Sequence, residues 1–318
     1  MQKIKFLAIA GPTASGKTAL SVALARRLGG EVVSCDSMQL YRGMSIGTAK
    51  PTEAEMGGIV HHMIDVADPD VPFNAADYVC MAQAAIEKIT ARGSIPILCG
   101  GTGLYLDSLL RGGFAETQAD PALRESLLEF AATHGAHALH ERLRAVDPES
   151  ADAIHENNVK RVARALEVYE TTGMTKTEAD RRSREVASPY DALVVGLFYP
   201  TREILYERIG RRVDKMLADG LLEETRALDD AGVFLKNSTA AQAIGYKEIL
   251  PYLHGEESLE SAKERLVIAT RHYAKRQLTW FGAKEYVHRI LMENDGTVRT
   301  LAEVADEVAG LWEEHLQK

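Results

Sequence analysis

Residues 11–18 read GPTASGKT, and their types and spacing suit one task, holding phosphate. Glycines let a backbone curl until successive N–H groups point inward. A helix starting at the same place adds the positive end of its dipole. In Gly11-x-x-x-x-Gly16-Lys17-Thr18, the lysine neutralises terminal phosphate charge and the Thr18 hydroxyl can ligate Mg²⁺. Gly11, Pro12, Thr13, Ala14, Ser15, Gly16, Lys17 and Thr18 are therefore expected to cradle a diphosphate.

Such loops often work beside an acid at the end of a neighbouring apolar strand. Here IPILC runs into Gly100-Gly101-Thr102, whereas EVVSCDS (31–37) ends beside an acid, Asp36. The residues after it are more elaborate than a metal-holding acid requires. Ser37, Gln39, Tyr41, Arg42 and Lys50 look like a binding surface for something polar or anionic. These residues alone leave open a kinase that uses ATP at the loop, with Asp36 as base for an acceptor hydroxyl.

The elements needed to position these groups are legible. IKFLAIA (4–10) is a continuous apolar run, as in a parallel strand buried on both faces. It superficially resembles a signal sequence, but Gly11 begins a motif that needs a strand just there. The stretch KTALSVALARRL is helical, and 75–93 has helical spacing with Gly93 as its stop. Residues 31–37, 95–101 and 192–200 are predicted strands, with a helix starting near Gly103. Alternating strands and helices imply a parallel sheet covered on both sides. Between 116 and 188 no strand is convincing, and 203–318 is mainly helical. The expected fold is α/β: a P-loop nucleoside-triphosphatase-like parallel-sheet core (1–115 with 189–318), a helical insertion domain (116–188) and a helical C-terminal part.

Composition narrows the class. Apolar residues are 46% of 318, and the net charge of −9 argues against a uniformly basic nucleic-acid binder. Cys35, Cys80 and Cys99 have no metal-site or disulfide spacing and fit a reducing cytoplasm. No apolar run approaches the ~20 residues of a membrane span. Basic strips exist locally. Residues 158–184 hold seven basic side chains (Lys160, Arg161, Arg164, Lys176, Arg181, Arg182, Arg184) against four acids, and 265–276 hold four against none. Charge alone favours a solvated helix face there.

The order GPTASGKT, DSMQLYRGMSIGTAKP (36–51), HHMID (61–65), GGTGLY (100–105), RALEVYETTG (164–173), IGYKE (244–248) and TRHYAKRQLTWF (270–281) resembles that of the tRNA dimethylallyltransferases. The resemblance spans residues 11 to 281. It implies that the diphosphate belongs to dimethylallyl diphosphate. The prenyl group would go to the exocyclic amine of the adenosine 3′ of a tRNA anticodon, with Mg²⁺ as cofactor. Asp36 would be the base, aided by Lys17, by Thr102 and, as a weaker carry-over, by Arg212. Asp36, Ser37, Met38 and Gln39 would meet the target base. Thr102, Arg124, the run Lys160, Arg161, Val162, Ala163, Arg164, and the run Gln242, Ala243, Ile244, Gly245, Tyr246, Lys247 match tRNA-contact segments. The base would have to turn out of the anticodon stack. A monomer is the default expectation.

Two positions depart from the family pattern: Glu156 stands where Pro is usual, and Gly282 where Arg is frequent. The cysteines of the zinc finger carried by some eukaryotic relatives are not in this sequence, so it resembles the bacterial type. His61 and His62 are adjacent and would face opposite ways in an extended segment, which argues against one shared ion. Tyr41, Tyr105, Trp280 and Phe281 could stack on bases, but packing is the default for most of them. Cys99 has no evident partnering base and is read as core. Besides the kinase, two other readings compete. One is a prenyltransferase for free adenine nucleotides, which would need no insertion to grip its acceptor. The other is an RNA-binding protein whose loop senses nucleotide.

Overall fold

The computed structural model describes residues 3–112, 120–185, 187–294 and 296–318. In chain order the elements begin β1 Ile4–Ala10, α1 Lys17–Leu28, β2 Gly30–Ser34, α2 Glu53–Met56, β3 His61–His62, α3 Ala75–Ala91, β4 Ile95–Gly100 and α4 Gly103–Leu110. Helices α5 Pro121–His134, α6 Ala136–Val146, α7 Pro148–Ala153, α8 Val159–Thr172 and α9 Lys176–Glu185 follow. The chain continues with β5 Tyr190–Phe198, α10 Arg202–Ala218, α11 Leu221–Asp230, α12 Val233–Lys236, α13 Leu250–Leu253 and α14 Leu259–Gly282. It closes with β6 Val287–Leu291, a short hairpin of β7 Glu293–Asn294 and β8 Thr297–Val298, and α15 Leu301–Leu316.

Strand β1 is apolar throughout because both its faces are covered. Phe6, Ala8 and Ala10 enter one core, and Leu7 and Ile9 enter the other. The sheet order is β3-β2-β4-β1-β5-β6, and every pairing within it is parallel. Parallel strands end at one edge, so register decides which loops meet. Ala10 pairs with Gly100 and Ser34 with Cys99. The glycine loop, the Cys35–Gln39 turn and the Gly101-Thr102 turn therefore leave the sheet side by side. In open parallel sheets this carboxyl edge is where ligands bind.

Two compact units are present: Met1–Leu110 with Pro189–Lys318, and Arg111–Ser188. The second unit packs Leu127, Leu139, Leu143, Val162 and Leu166 into its own core. Among its described residues there is no strand. The predicted boundary at 115/116 lies outside the described residues.

Several predicted edges shift. Strand β2 stops at Ser34 rather than 37, because the chain must turn at the Cys35–Gly100 crossing. A Cβ on Gly100 would lie 2.0 Å from the Cys35 carbonyl oxygen. Helix α3 ends at Ala91, with Arg92 as its cap, one residue before Gly93. The C-terminal third contributes β6 to the main sheet, beside β5. Sequence reading missed it, as it missed the two-residue β3.

Candidate active site

The glycine loop is bent as its sequence requires. Gly16 sits at φ +97°, a region that L side chains avoid, and caps α1. Ala14 also has positive φ, +62°. Two buttresses hold that bend: Arg208 Nε donates to the Ala14 carbonyl at 2.7 Å, and the Tyr199 hydroxyl to the Ser15 carbonyl at 3.1 Å. Lys17 Nζ donates to Pro12 O at 2.6 Å. Burial pushes the Lys17 ammonium down to about 8, and nearby Arg212 acts the same way, while Cys99 and Asp36 oppose them.

Asp36 lies two residues past β2 and makes its own turn. Its Oδ1 accepts the Met38 and Gln39 N–H groups at 2.9 and 3.3 Å. Among the described residues Oδ2 has no partner, and Asp36 lines a cavity of about 320 Å³. Lys17, Thr18 and Arg212 line the same cavity, and so do Val213, Met216 and Leu266. The lining thus combines ionic and apolar side chains. A second cavity of about 620 Å³ is lined by Ala14, Ser15 and Gly16 of the loop and shares Lys17, Thr18, Arg212 and Met216 with the first. Arg212 forms no hydrogen bond or ion pair among the described residues, and burial lowers its pKa from the usual arginine value.

Among the described residues the Thr18 hydroxyl has no hydrogen-bond partner, and no cluster of three His, Cys, Asp or Glu able to hold a metal occurs. That donor set fits Mg²⁺, which takes few protein ligands and completes its shell with phosphate oxygens and water.

Of the other expected residues, Ser37, Met38 and Gln39 line the 320 Å³ cavity, whereas Thr102 does not. Its hydroxyl accepts the Ser37 N–H at 3.0 Å, so it holds the turn that carries Asp36. The Gln39 amide is engaged within the protein: Oε1 accepts from Ser34 Oγ at 3.2 Å and Nε2 donates to Ala49 O at 3.2 Å. Tyr41 is fully buried, Lys50 donates to Tyr41 O at 2.7 Å, and Arg42 pairs with Asp68 at 2.6 Å. All three are engaged within the protein, and Lys50 also lines the 620 Å³ cavity.

The second unit needs the same correction. Val162 and Ala163 are 0% exposed on the core face of α8, so their side chains cannot reach RNA. Arg124 and Arg164 pair at 2.8 and 2.9 Å with the fully buried Glu167. Lys160 and Arg161 are exposed and form no ion pair among the described residues. In the strip beyond, Lys176 pairs with Asp180 and Arg182 with Glu178.

In the run 242–247, Gln242, Ala243, Ile244 and Lys247 line the 320 Å³ cavity. Tyr246 is 0% exposed and packs on Gly47, so it is core and not an RNA contact. Gly245, at φ +112°, sits tightly against the Gly47 carbonyl. The Tyr246 hydroxyl donates to Glu224 at 2.7 Å. Glu224 also accepts the N–H groups of Ser45, Ile46 and Gly47 at 2.9–3.0 Å. Sequence reading missed Glu224 entirely; an acid on an amphipathic helix gives no local signal of a partner loop 177–179 positions away.

The remaining features resolve simply. His61 Nδ1 lies 2.9 Å from Ile59 O and His62 Nε2 2.7 Å from Glu31, so the two rings serve different partners. Tyr105 stacks on Tyr78, and Phe281 is core. Trp280 is 37% exposed. Burial raises the Cys99 thiol above its ordinary pKa, as befits an inert thiol. Glu156 binds His137 at 2.9 Å, and the Gly282 carbonyl accepts from Arg289 at 2.7 Å. Among the described residues no helix is long and apolar enough to cross a membrane.

A family model described as IPP transferase matches residues 39–284. The tRNA dimethylallyltransferase of Halalkalibacterium halodurans is 46% identical over 98% of this chain and 99% of its own. That of Geobacillus kaustophilus is 51% identical over 87% of each. The crystal structure of the full-length tRNA isopentenylpyrophosphate transferase of Bacillus halodurans superposes with TM-score 0.71 at 44% identity, covering 99% of both chains. A eukaryotic dimethylallyltransferase described as acting on tRNA superposes with TM-score 0.77 at 32% identity, over 90% of this chain and 73% of its own.

Proposed function

The chain belongs to the IPP transferase family, and from that membership we infer that it is a tRNA dimethylallyltransferase. It moves the dimethylallyl group of dimethylallyl diphosphate to the exocyclic amine of the adenosine 3′-adjacent to a tRNA anticodon. The observation that carries this reading is the 320 Å³ cavity, where Asp36 shares a chamber with Lys17, Thr18 and Arg212 and with the apolar side chains of Val213, Met216 and Leu266. Those apolar side chains suit a five-carbon chain.

The chemistry balances. The N6–C bond forms as the allylic C–O bond breaks, and the bonding pair leaves on the diphosphate. The N6 proton passes to Asp36, whose Oδ1 is pinned by backbone N–H groups while Oδ2 has no partner among the described residues. Lys17, Arg212 and the loop amides receive the charge that grows on the leaving diphosphate. Thr102 holds the Asp36 turn through Ser37. Mg²⁺ is the proposed cofactor, held by the Thr18 hydroxyl, where it would add charge stabilisation to the leaving group. Lys160 and Arg161, exposed and without an ion pair among the described residues, are proposed to meet tRNA phosphates. Action in the cytoplasm as a monomer completes the reading.

The test is transfer itself. The protein, Mg²⁺, labelled dimethylallyl diphosphate and bulk tRNA lacking the modification should yield label in isopentenyl-adenosine after digestion. Label in free adenine nucleotides alone, or phosphoryl transfer from ATP, would overturn the reading.

A further inference from the structure

Gln277 on α14 is 5% exposed, and both ends of its amide are engaged. Oε1 accepts the Thr13 N–H at 2.8 Å, and Nε2 donates to the Gly101 carbonyl at 3.0 Å. Thr13 belongs to the diphosphate loop. Gly101 begins the turn that carries Thr102, which in turn holds Ser37 beside Asp36. The β1–β4 ladder ends at Ala10–Gly100, so past that pair the sheet no longer fixes the spacing of the two loops.

The Thr13 N–H can only donate and the Gly101 carbonyl can only accept. A side chain joining them must offer both an acceptor and a donor, and the two ends of the glutamine amide supply them. Gly101 makes the approach possible, since a Cβ there would lie 2.0 Å from Gln277 Nε2. The ionisable groups lining the same cavity are Lys17 of the loop, Asp36, Cys99 on β4, Arg212 on α10, Lys247, and Tyr273 and Arg276 on α14. None of them bridges the two loops.

We propose that Gln277 is a positioning residue for the transfer, a brace that fixes the diphosphate loop against the turn holding the general base. The proposal rests on the transferase reading. Bond making to nitrogen and bond breaking to diphosphate happen together, so both loops must be in place in one transition state. Loss of about 1 Å of such alignment costs on the order of 100-fold in rate.

The experiment is single-turnover transfer by Gln277→Leu beside the wild type, with enzyme in excess over labelled tRNA. Three further readouts accompany it: the inhibition constant of inorganic diphosphate, the affinity for tRNA, and the melting temperature. The rate constant should fall roughly 100-fold while the amplitude, the inhibition constant and tRNA affinity stay within about twofold. A rate constant within twofold of wild type overturns the proposal. So does a loss confined to the amplitude, which would mean fewer folded molecules. If Gln277→Leu does not fold, the near-isosteric Gln277→Glu, which keeps the acceptor for Thr13 but loses the donor, is judged by the same outcomes. Absence of transfer by the wild type would instead defeat the transferase reading.

Discussion

The Lys17 ammonium donates to the Pro12 carbonyl, five residues back in its own loop, at 2.6 Å. The loop thus holds its own cation in place before any anion binds. Burial keeps that ammonium's pKa at about 8, against 10.5 for a free lysine. Diphosphate favours the charged form, so binding near or above pH 8 must draw a proton onto Lys17.

The sign is clear: affinity for diphosphate should fall as pH rises through about 8. At that pH, wild-type binding should take up about half a proton more than the Lys17→Met variant. Calorimetry with inorganic diphosphate in two buffers of different ionisation heat reads this number directly. Equal proton counts for the two proteins would contradict the assignment.

Asp36→Asn preserves an Oδ1 acceptor for Met38 and Gln39, so the turn should survive. Single-turnover transfer should drop by roughly 10²–10⁴-fold. Binding of an anticodon stem-loop, read by fluorescence anisotropy, should stay near wild type. Unchanged transfer would remove Asp36 as the base.

Glu224→Ala strips a carboxylate from three backbone N–H groups and the Tyr246 hydroxyl. Those donors lose a shared acceptor, so the expected cost is roughly 1–3 kcal/mol in urea unfolding. The 45–49 loop lines the cavities, so hydrogen exchange there should quicken selectively.

Glu167→Gln tests the helical unit. Burial pushes the Glu167 carboxyl up, but Arg124, Arg164 and the Asp120 N–H outweigh it and hold the pKa below the usual value. A lowered carboxylate stabilises the fold above its unfolded pKa of about 4.3 and loses that contribution as pH falls through the folded value. Both arginines are partly exposed, so the pair contributes only roughly 1–2 kcal/mol. Hydrogen exchange in 121–185 should show a wild-type advantage at pH 7 that shrinks below about pH 4. A constant gap across that range would reject the ion-pair account.

The sequence by itself determined whatever a segment does with its near neighbours. IKFLAIA had to be a strand buried on both faces, and Gly16-Lys17-Thr18 had to open a helix on a curled loop. The helical period of 121–185 was equally local, and Asp36 was legible as an acid just past a strand. Tertiary structure decided which side chains those segments met. Val162, Ala163 and Tyr246 sit in sequence runs that look like RNA contacts, yet the packing of each unit buries them. Arg124 and Arg164 looked free until Glu167 came between them. Strand β6 becomes a strand by pairing with β5, nearly a hundred positions earlier. Glu224 and Gln277 carry no motif of their own. Their roles exist only because parallel strands end together, bringing loops from distant parts of the chain within hydrogen-bond reach of one side chain.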